Sequence, residues 1–447
     1  GAFDIETQYR ERLRHPPPPR RVEGPTAIPN SHRLLVLRGA KLHEGAERRF
    51  AAEATGADLV YSDEDRLRDG ARGRPLFKPE YSPELHLSAN YPGDVLLASR
   101  ALLARAGVDD AAALTPHDLA LRLADAADRI RRIPEILFSR VAEEPDVSLD
   151  GVRAALARRG RTGTVTAGAD GTAVVRYPTP RATVAVIVPS AGRHPWLEPC
   201  LRAVSRLSPG VALEILVLDT RAVSSGADDG PLVALPGVRV EPWAGRRFNF
   251  AAVNNEGARR TRAEYLLFLN DDTEPLDDRW LTAMLELAQW PETAAVGSLL
   301  LYPDRTIQHA GVVLGVGGPG AHGLRHLPAT SRPNQPWALR TREVSAVTAA
   351  CLLVPRGKFE AVGGFDESFS VDNNDLDLCL RLGAAGGRVL FTPDSRLLHR
   401  ESVTRRKWRD PAEERAFLDR WEGLLRRGDT YYSPGLTLVR EDFSLRR

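Results

Sequence analysis

Several strand-like segments in the second half of the chain end in polar residues that could bind a ligand. Ser190 to Arg193 follow one apolar run, and Asp219 follows the next. A later run, YLLFL, ends in Asn270 to Asp272. Ligands of parallel α/β sheets bind beyond the carboxyl ends of the strands, so these residues are candidates for one site. Carboxylates there suit Mg²⁺ or Mn²⁺, which keep coordination positions open for a diphosphate.

The acids also have structural interpretations. Asp272 to Glu274 could simply form a turn or cap the following helix, since Asp-Thr-x-Pro is good turn chemistry. In SVDNNDLDLCLRL, Asn374 or Asp375 could cap a helix. The functional alternative for Asp375 is a general base that takes the proton of a sugar hydroxyl attacking an activated anomeric carbon.

The segment LLHRESVTRR carries a third group of candidates. His399 could be a ligand, although a lone histidine is more often structural. Arg405 and the arginine after it suit phosphate recognition and suit a solvated face equally well.

The elements that must position these residues alternate along the chain. From residue 183, apolar runs typical of buried strands (TVAVIVP, LEILVLD, YLLFL, AAVGSLLL) alternate with helical patterns. This order predicts an α/β domain with a doubly wound, mostly parallel sheet.

The rest of the chain divides by composition. Residues 1–33 are rich in Pro and Arg and predict an extended, exposed leader, with a docking arm as the alternative. Residues 34–144 have a mixed α/β pattern. Residues 145–181 predict a linker with a short helix, capped by Ser148, and a hairpin. The fourth predicted region is 182–447.

Bulk properties exclude several classes of function. The 447 residues carry a net charge of +2, which gives no overall electrostatic attraction to nucleic acid. The three cysteines are widely spaced, which predicts free, mostly buried thiols in a reducing compartment. With neither a signal peptide nor a bilayer-length apolar run, we expect a cytoplasmic protein, with peripheral association at the inner membrane face left open. The sequence also has no dinucleotide-binding GxGxxG after the first strand and no Walker motif.

One series of segments carries a family resemblance. In order they are CLRAV, LVLD, NFAAVNNEGA, LLFLNDDTEP, IQHAGVVLG, VTAACLLVPR, VGGFDESF, NNDLDLCLRL and LLHRESVTR. From about Ala182 onward, the chain resembles glycosyltransferase family 2, especially bacterial rhamnosyltransferase-like and O-antigen or surface-polysaccharide enzymes with the GT-A fold. The resemblance implies inverting, metal-dependent transfer of a sugar from a nucleoside diphosphate (dTDP-rhamnose, or a UDP- or GDP-sugar) to a glycan, lipid-linked or protein-linked acceptor.

The resemblance also implies a role for individual residues. Asp375 would be the catalytic base, and Asp272 and His399 would bind Mn²⁺ or Mg²⁺. The donor would be bound by Ser190, Arg193, Asp219, Asn254, Asp271 and Arg405. The acceptor side would be lined by Gly364, Phe365 and Asp366. The chain departs from the family pattern in having Asn270 first in the acidic triplet, no Asp in PSAGR, and Thr-Arg instead of Asn-Gly after Asp219.

The N-terminal half resembles the first of two GT-A domains in tandem through ADLVYSDEDRL, FKPEYSPELHLSANY and HDLALRL. Arg38 to Lys41 stand where an acidic metal motif would be, and Pro116 stands where a catalytic acid would be. We therefore expect a degenerate, non-catalytic GT-A-like domain for scaffolding, dimerisation or acceptor docking. Asp63 to Asp65 are predicted to form a solvated turn or cap.

A different class of function is a sugar-nucleotide-binding scaffold that organises other glycosyltransferases. Drift in such a protein usually removes catalytic groups first. The retention of Asp272, Asp375 and His399 therefore favours the enzyme.

Overall fold

The computed structural model describes residues 5–14, 25–141, 147–192, 195–206, 210–223, 232, 235–330, 336–400 and 410–446. The chain forms two compact units. The first comprises Gly1–Pro178, Arg332–Ala338 and Thr430–Arg447, and the second comprises Thr179–Ser331 and Leu339–Asp429. The domain boundaries predicted from the sequence stay predictions.

The first unit is a small α/β unit. Its helices are α1 (Ile5–Arg14), α2 (Ala46–Glu53), α3 (Pro83–Ser88), α4 (Arg100–Arg105), α5 (Pro116–Ala126) and α6 (Leu149–Arg158). Its strands are β1 (His32–Val36), β2 (Lys41–Leu42), β3 (Leu59–Arg68), β4 (Ala71–Leu76), β5 (Val95–Ser99), β6 (Ile130–Arg140), β7 (Thr164–Ala167) and β8 (Ala173–Arg176).

The main sheet of this unit has the order β1-β5-β3-β6-β2, with β4 paired to β3. Successive side chains of a strand point to opposite faces. Leu59 and Tyr61 of β3 therefore pack in one apolar cluster with Leu119 of α5. Val60 packs on the other face with Phe50 of α2. The sheet is thus covered on both faces.

Two predictions for this unit are wrong. Residues 5–14 of the proposed leader form α1, whose Tyr9 is 4% exposed and donates a hydrogen bond to Asp65 (2.6 Å). The polyproline run lies outside the described residues. Asp63, Glu64 and Asp65 form no solvated turn. They lie within β3 and are at most 1% exposed.

The linker elements are confirmed. Ser148 caps α6 by accepting the N–H of Gly151, and β7 and β8 pair as an antiparallel hairpin.

The second unit is larger. Its strands are β9 (Ala182–Ser190), β10 (Val211–Asp219), β11 (Val238–Pro242), β12 (Tyr265–Leu269), β13 (Thr273–Pro275), β14 (Thr293–Leu301), β15 (Ile307–His309), β16 (Val312–Leu314), β17 (Gly320–His322), β18 (Arg342–Glu343), β19 (Cys351–Pro355) and β20 (Arg388–His399). Its helices are α7 (Leu197–Val204), α8 (Phe250–Arg259), α9 (Trp280–Ala288), α10 (Arg356–Ala361), α11 (Asn374–Ala384) and α12 (Pro411–Arg427).

The sheet of this unit has the order β11-β10-β9-β12-β19-β14-β20-β13. β9 pairs in parallel with β10 on one side and β12 on the other. The chain leaves β9 in one direction through β10 and β11, then returns to its other side with β12. Such a reversal opens a crevice at the carboxyl ends of the strands. The predicted α/β class is confirmed.

All three cysteines, Cys200, Cys351 and Cys379, are buried and free, as predicted. Burial raises the pKa of the Cys351 and Cys379 thiols to about 12. Within the described part of the chain, no helix combines the length and apolarity needed to cross a membrane.

Candidate active site

The strand ends at the reversal point bring three predicted donor-site residues together. Ser190 ends β9 and donates its Oγ proton to Asp271 Oδ2 (2.6 Å), just beyond β12. The same Oγ accepts the N–H of Gly192 (3.1 Å). Asp219 ends β10 directly opposite Ser190 in the parallel register. The predicted clustering of Ser190, Asp219 and Asp271 is therefore observed, although their roles stay predictions.

Asp219 is held by its neighbour Arg221. The Arg221 backbone N–H donates to Oδ1 (3.0 Å), and its Nη2 donates to Oδ2 (2.7 Å). These hydrogen bonds from Arg221 lower the pKa of the Asp219 carboxyl. The departure from the family pattern after Asp219 thus places a guanidinium beside the carboxylate.

Asp272 and His399, predicted as metal ligands, face each other. β13 pairs with β20 so that Thr273 lies opposite His399, which puts the preceding aspartate beside the imidazole. Asp272 Oδ1 is 3.1 Å from His399 Nε2, and Asn270 Nδ2 is 3.2 Å from the same nitrogen. Asp272 and His399 are both buried.

Gln308 determines the tautomer of His399. Its Nε2 donates to the His399 backbone carbonyl (3.2 Å), a bond that only the amide nitrogen can make. The amide oxygen must therefore face His399 Nδ1, at 2.5 Å, and this ring nitrogen carries the proton. In the neutral imidazole, the Nε2 lone pair is then available to the Asn270 amide N–H (3.2 Å) or to a cation beside Asp272.

This arrangement fits a divalent cation. A carboxylate oxygen and an imidazole lone pair at 3.1 Å repel each other unless a proton or a cation lies with them. Asp272 and His399 are suitable ligands for Mn²⁺ or Mg²⁺, and a pair leaves positions for diphosphate oxygens. In the described part of the chain, no group of three or more His, Cys, Asp or Glu residues is arranged for a metal. The remaining ligands would therefore have to come from the donor, from water or from amide oxygens.

Asp375 lies in the first turn of α11 and is partly exposed. Its Oδ2 accepts the N–H of Ala349 (3.1 Å), and its Oδ1 accepts the N–H of Leu376 (2.9 Å). The carbonyl of Ala350, the residue after Ala349, accepts the N–H of Asn270 (3.1 Å). One backbone segment thus joins the Asp375 carboxylate to the start of the acidic triplet, so the candidate base and the candidate metal pair belong to one edge of the sheet.

Comparison with known proteins adds to this geometry. Residues 185–311 match the model of glycosyl transferase family 2. The chain carries a glycosyltransferase family 2 domain. This matched segment contains most of β9, all of β12 and the acidic triplet.

The chain is also similar to curated proteins. It is 38% identical over 428 residues to the O-antigen biosynthesis protein RfbC of Myxococcus xanthus, covering 87% of this chain and 32% of that protein. It is 28% identical over 262 residues to the N-acetylglucosaminyl-diphospho-decaprenol L-rhamnosyltransferase of Mycobacterium tuberculosis, covering 52% of this chain and 80% of that one. The chain therefore spans about a third of the length of RfbC. A solved structure, GalNAc-T7 with UDP, GalNAc and Mn²⁺, superposes with a TM-score of 0.39 at 14% identity, covering 50% of this chain and 44% of that one.

Asn254, a predicted donor residue, is fully buried in α8 of the family 2 domain. Its Nδ2 donates to the Phe250 carbonyl (2.9 Å) within the same helix. Its neighbour Asn255 instead holds the GGFD segment, since its amide bonds both the N–H and the carbonyl of Phe365 (2.9 Å each). The adjacent asparagine thus has a structural role that the sequence did not reveal.

The predicted acceptor-side residues lie in that segment. Gly364 has φ +72°, a conformation that favours glycine. The Phe365 ring is 2% exposed and packs edge-on against Phe268, so its side chain belongs to the core. Partial burial would raise the pKa of Asp366, but hydrogen bonds from Ser368 and Arg420 outweigh it and lower that pKa to about 2. The acceptor-side role of the three residues stays a prediction.

Two predicted donor residues, Arg193 and Arg405, lie outside the described residues. Sequence reasoning assigned no role to Gln308 or Arg221. Gln308 belongs to IQHAGVVLG, one of the segments that carry the family resemblance. The resemblance marks this segment but does not imply a role for Gln308. Arg221 was noted only as a departure from the family pattern.

Proposed function

We propose that the family 2 domain is an inverting, metal-dependent glycosyltransferase. Its donor would be a nucleoside diphosphate sugar, and its acceptor a glycan, lipid-linked or protein-linked molecule of bacterial surface polysaccharide synthesis. The observation that carries this proposal is the Asp272–His399 pair, 3.1 Å apart, beside the Ser190–Asp271 hydrogen bond at the strand ends.

Each part of the site has a chemical task in this proposal. A cation bound by Asp272 and His399 would stabilise the negative charge that develops on the departing diphosphate. Asp219 and Ser190 lie where a nucleoside would be recognised. Gln308 keeps the Nε2 lone pair of His399 directed at the cation position, as a neighbouring hydrogen-bond partner commonly does for a ligating histidine.

Asp375 would act as the general base. The N–H groups of Ala349 and Leu376 fix the orientation of its carboxylate, while each carboxylate oxygen keeps acceptor capacity for a substrate hydroxyl. Proton removal by Asp375 generates the nucleophilic oxygen, which forms the new glycosidic bond as the bond to the diphosphate breaks. Attack from the face opposite the leaving group inverts the anomeric configuration.

The names of two relatives support a choice of the first donor to test and of the biosynthetic pathway. The M. tuberculosis relative is named a rhamnosyltransferase and the M. xanthus relative an O-antigen biosynthesis protein. We therefore infer dTDP-rhamnose as the first donor to test, with UDP- and GDP-sugars as alternatives. Location at the inner membrane face, which a lipid-linked acceptor would require, is part of the same proposal, and so is homodimer formation.

The first test is a thermal-shift panel of UDP, dTDP and GDP, each with Mn²⁺, with Mg²⁺ or with EDTA. A ligand specific for the native state stabilises it by about 2.7 kcal/mol at a hundredfold excess over Kd. We expect one nucleotide to raise the melting temperature only with metal, and Asp272→Ala to abolish this shift. Equal shifts with metal and with EDTA would contradict the metal site, and no shift with any nucleotide would favour the scaffold.

A further inference from the structure

Glu413 is a buried carboxylate to which the proposed transfer reaction assigns no task. It lies in the first turn of α12 and is 7% exposed. Its Oε1 accepts both the backbone N–H (2.8 Å) and the hydroxyl proton of Ser370, and its Oε2 accepts the N–H of Asp372 (3.1 Å). Hydrogen bonds to an ionised acceptor are stronger than those between neutral groups. One carboxylate thus holds both ends of residues 370–372.

The segment that Glu413 binds leads directly into α11, whose first turn carries Asp375. Between them, Asn373 has φ +61°, a left-handed conformation that is uncommon for a residue with a side chain. Such a conformation persists only where the surrounding structure fixes it. Glu413 fixes the residues before this turn, and the Asn374 amide after it donates back to the Val371 carbonyl (2.9 Å). The start of α11 is therefore set by contacts outside the helix.

Helix α12 also binds α11 beyond Asp375. Asp377 is buried, and its Oδ1 accepts from Arg420 Nη1 (2.9 Å) and from Trp421 Nε1 (3.1 Å). Both donors belong to α12, one or two turns beyond Glu413 along that helix. The chain is thus held by one helix on both sides of the candidate base, and these two attachments restrict where its backbone lies.

The Asp375 carboxylate is bound from another direction. Its Oδ2 accepts the N–H of Ala349 (3.1 Å), which lies between β18 and β19. This bond exists only where the backbone of α11 brings Asp375 within reach. Glu413 bonds residues 370–372 and shares no partner with Ala349 in the described part of the chain. The Ala349 N–H therefore reports the position of Asp375 independently of Glu413.

We propose that Glu413 is a positioning residue for the candidate base: it fixes the entry of the chain into α11 and thereby keeps the Asp375 carboxylate on the Ala349 N–H. This role rests on the proposed function, in which Asp375 takes the proton of the attacking hydroxyl. A general base must lie within hydrogen-bond reach of that proton. A displacement of about 1 Å near a reacting group can cost about 10²-fold in rate.

The first test is hydrogen–deuterium exchange of the full chain, read by mass spectrometry, which needs no substrate. In Glu413→Ala, the amides of residues 370–372 lose their acceptor and should exchange faster. The Ala349 amide should also exchange about tenfold faster, the effect of losing one hydrogen bond to a charged group. Faster exchange at residues 370–372 with Ala349 still protected would show a local structural role and overturn the proposal.

The matched control is Glu422→Ala in the same helix. Glu422 is exposed and bonds Arg426 (2.6 Å), so its loss should leave both segments protected. Glu413→Gln is the conservative variant, because its amide oxygen still accepts from Ser370 while its amide nitrogen faces the Asp372 N–H. We expect intermediate exchange at Ala349, and this variant keeps the proposal testable if Glu413→Ala unfolds. Equal exchange at Ala349 in the Glu413 and Glu422 variants would overturn it.

The second test measures release of dTDP from dTDP-rhamnose with Mn²⁺ and no added acceptor, so that water takes the place of the attacking hydroxyl. Water attacks the anomeric carbon, its proton passes to Asp375, and the bond to the diphosphate breaks. Glu413→Ala should lower kcat about 10–100-fold and leave the KM for dTDP-rhamnose unchanged. In an Asp375→Asn background the same change should cost little more, because residues that act as one unit are not additive. Additive losses would overturn the proposal.

The two tests separate this inference from the proposed function. A chain that releases no nucleotide from dTDP-rhamnose or from UDP- and GDP-sugars would contradict the proposed function, whereas faster exchange at Ala349 in Glu413→Ala would still support the positioning of Asp375. An active chain whose Ala349 amide stays protected in that variant would overturn the positioning role and leave the proposed function standing.

Discussion

Replacing Gln308 with leucine tests how the candidate metal site is built. Gln308 is 2% exposed and bonds His399 twice, through Nδ1 and through the backbone carbonyl. Leucine fills a similar volume but offers no hydrogen bond. His399 would then lose the acceptor that holds its Nδ1 proton, and its Nε2 lone pair would no longer be kept available to a cation beside Asp272.

The expected loss can be estimated from this geometry. Removing a partner that orients a metal-ligating side chain typically weakens metal binding about 10–100-fold. This factor corresponds to about 1.4–2.7 kcal/mol of binding free energy. The orphaned, buried N–H of His399 would also lower the free energy of unfolding by about 1–3 kcal/mol. Both effects should therefore be measurable in one protein.

The assay is a titration of Mn²⁺ at a saturating concentration of the nucleoside diphosphate found in the thermal-shift panel. Gln308→Glu is the informative companion, because its carboxylate still accepts from Nδ1 but cannot donate to the His399 carbonyl. We expect it to retain more Mn²⁺ affinity than Gln308→Leu. The matched control is Gln289→Leu, which removes a bond from a glutamine amide to the Glu286 carbonyl (2.9 Å) far along the chain from His399.

Two results would refute the reasoning about Gln308. One is a Gln308→Leu variant with the Mn²⁺ affinity of the unmodified protein, since His399 would then need no orienting partner. The other is an equal loss of affinity in Gln289→Leu, which would attribute the effect to general destabilisation.

Three further predictions test the base, the first unit and the packing of the sheet. Asp375→Asn should slow sugar transfer by about 10²–10⁴-fold and leave nucleotide binding intact, which a kinetic and calorimetric comparison checks; an unchanged rate would exclude Asp375 as the base. Burial raises the pKa of Asp63 to about 6, above its value of about 3.9 in unfolded chains, so the native state loses stability as pH rises between these values. The melting temperature of Asp63→Asn relative to the unmodified protein should therefore increase between about pH 4 and pH 6.5, with sugar transfer retained; a difference that is constant with pH would contradict this. Gly257→Ala would place a methyl group 2.5 Å from Ile187 Cγ2 and should cost about 1–3 kcal/mol in denaturant unfolding, whereas Gly423→Ala in the open surface of α12 should be neutral or stabilising.

The sheet of the second unit was predictable because its signals are local. Apolar runs such as TVAVIVP bury both faces of a parallel strand, and the helices between them have their own periodicity. Ser190, Asp219 and Asp271 were predictable as a group for the same reason, since polar residues directly after such strands must meet at one edge of the sheet.

The fine structure of the site was not predictable from local signals. The sequence marked His399 as a candidate ligand and the family resemblance implied its metal role, but nothing in the sequence assigned a role to Gln308, which lies 91 positions away. The tautomer of His399 depends on a hydrogen bond between distant segments. Such bonds follow from strand pairing, which one sequence does not determine.

The burial of Asp63, Glu64 and Asp65 in β3 was also not predicted, for a different physical reason. A run such as Ser-Asp-Glu-Asp is normally solvated, because burying a charge without a partner is costly. Here the partners come from elsewhere in the first unit: Lys78 pairs with Glu64 (2.8 Å) and Arg72 pairs with Asp65 (2.7 Å). Lys78 lies 14 positions from Glu64 and Arg72 lies 7 positions from Asp65, and both reach the acids only through the fold of the segment after β3, so the burial of the acids was missed.

The two units therefore differ in what faces their buried carboxylates, and the difference bears on their roles. In the first unit the chain itself supplies a cation to Glu64 and to Asp65, and an ammonium at 2.8 Å occupies the space that a metal ion would need. In the second unit the group that faces Asp272 at 3.1 Å is a histidine, a common metal ligand, whose other nitrogen is bonded to Gln308. A buried carboxylate with its own ammonium has no need of a metal ion, which supports the hypothesis that the first unit is not catalytic. If this is correct, Lys78→Met should not give the first unit metal-dependent transfer but should destabilise it by about 3–5 kcal/mol, because Glu64 would remain buried without its closest cation.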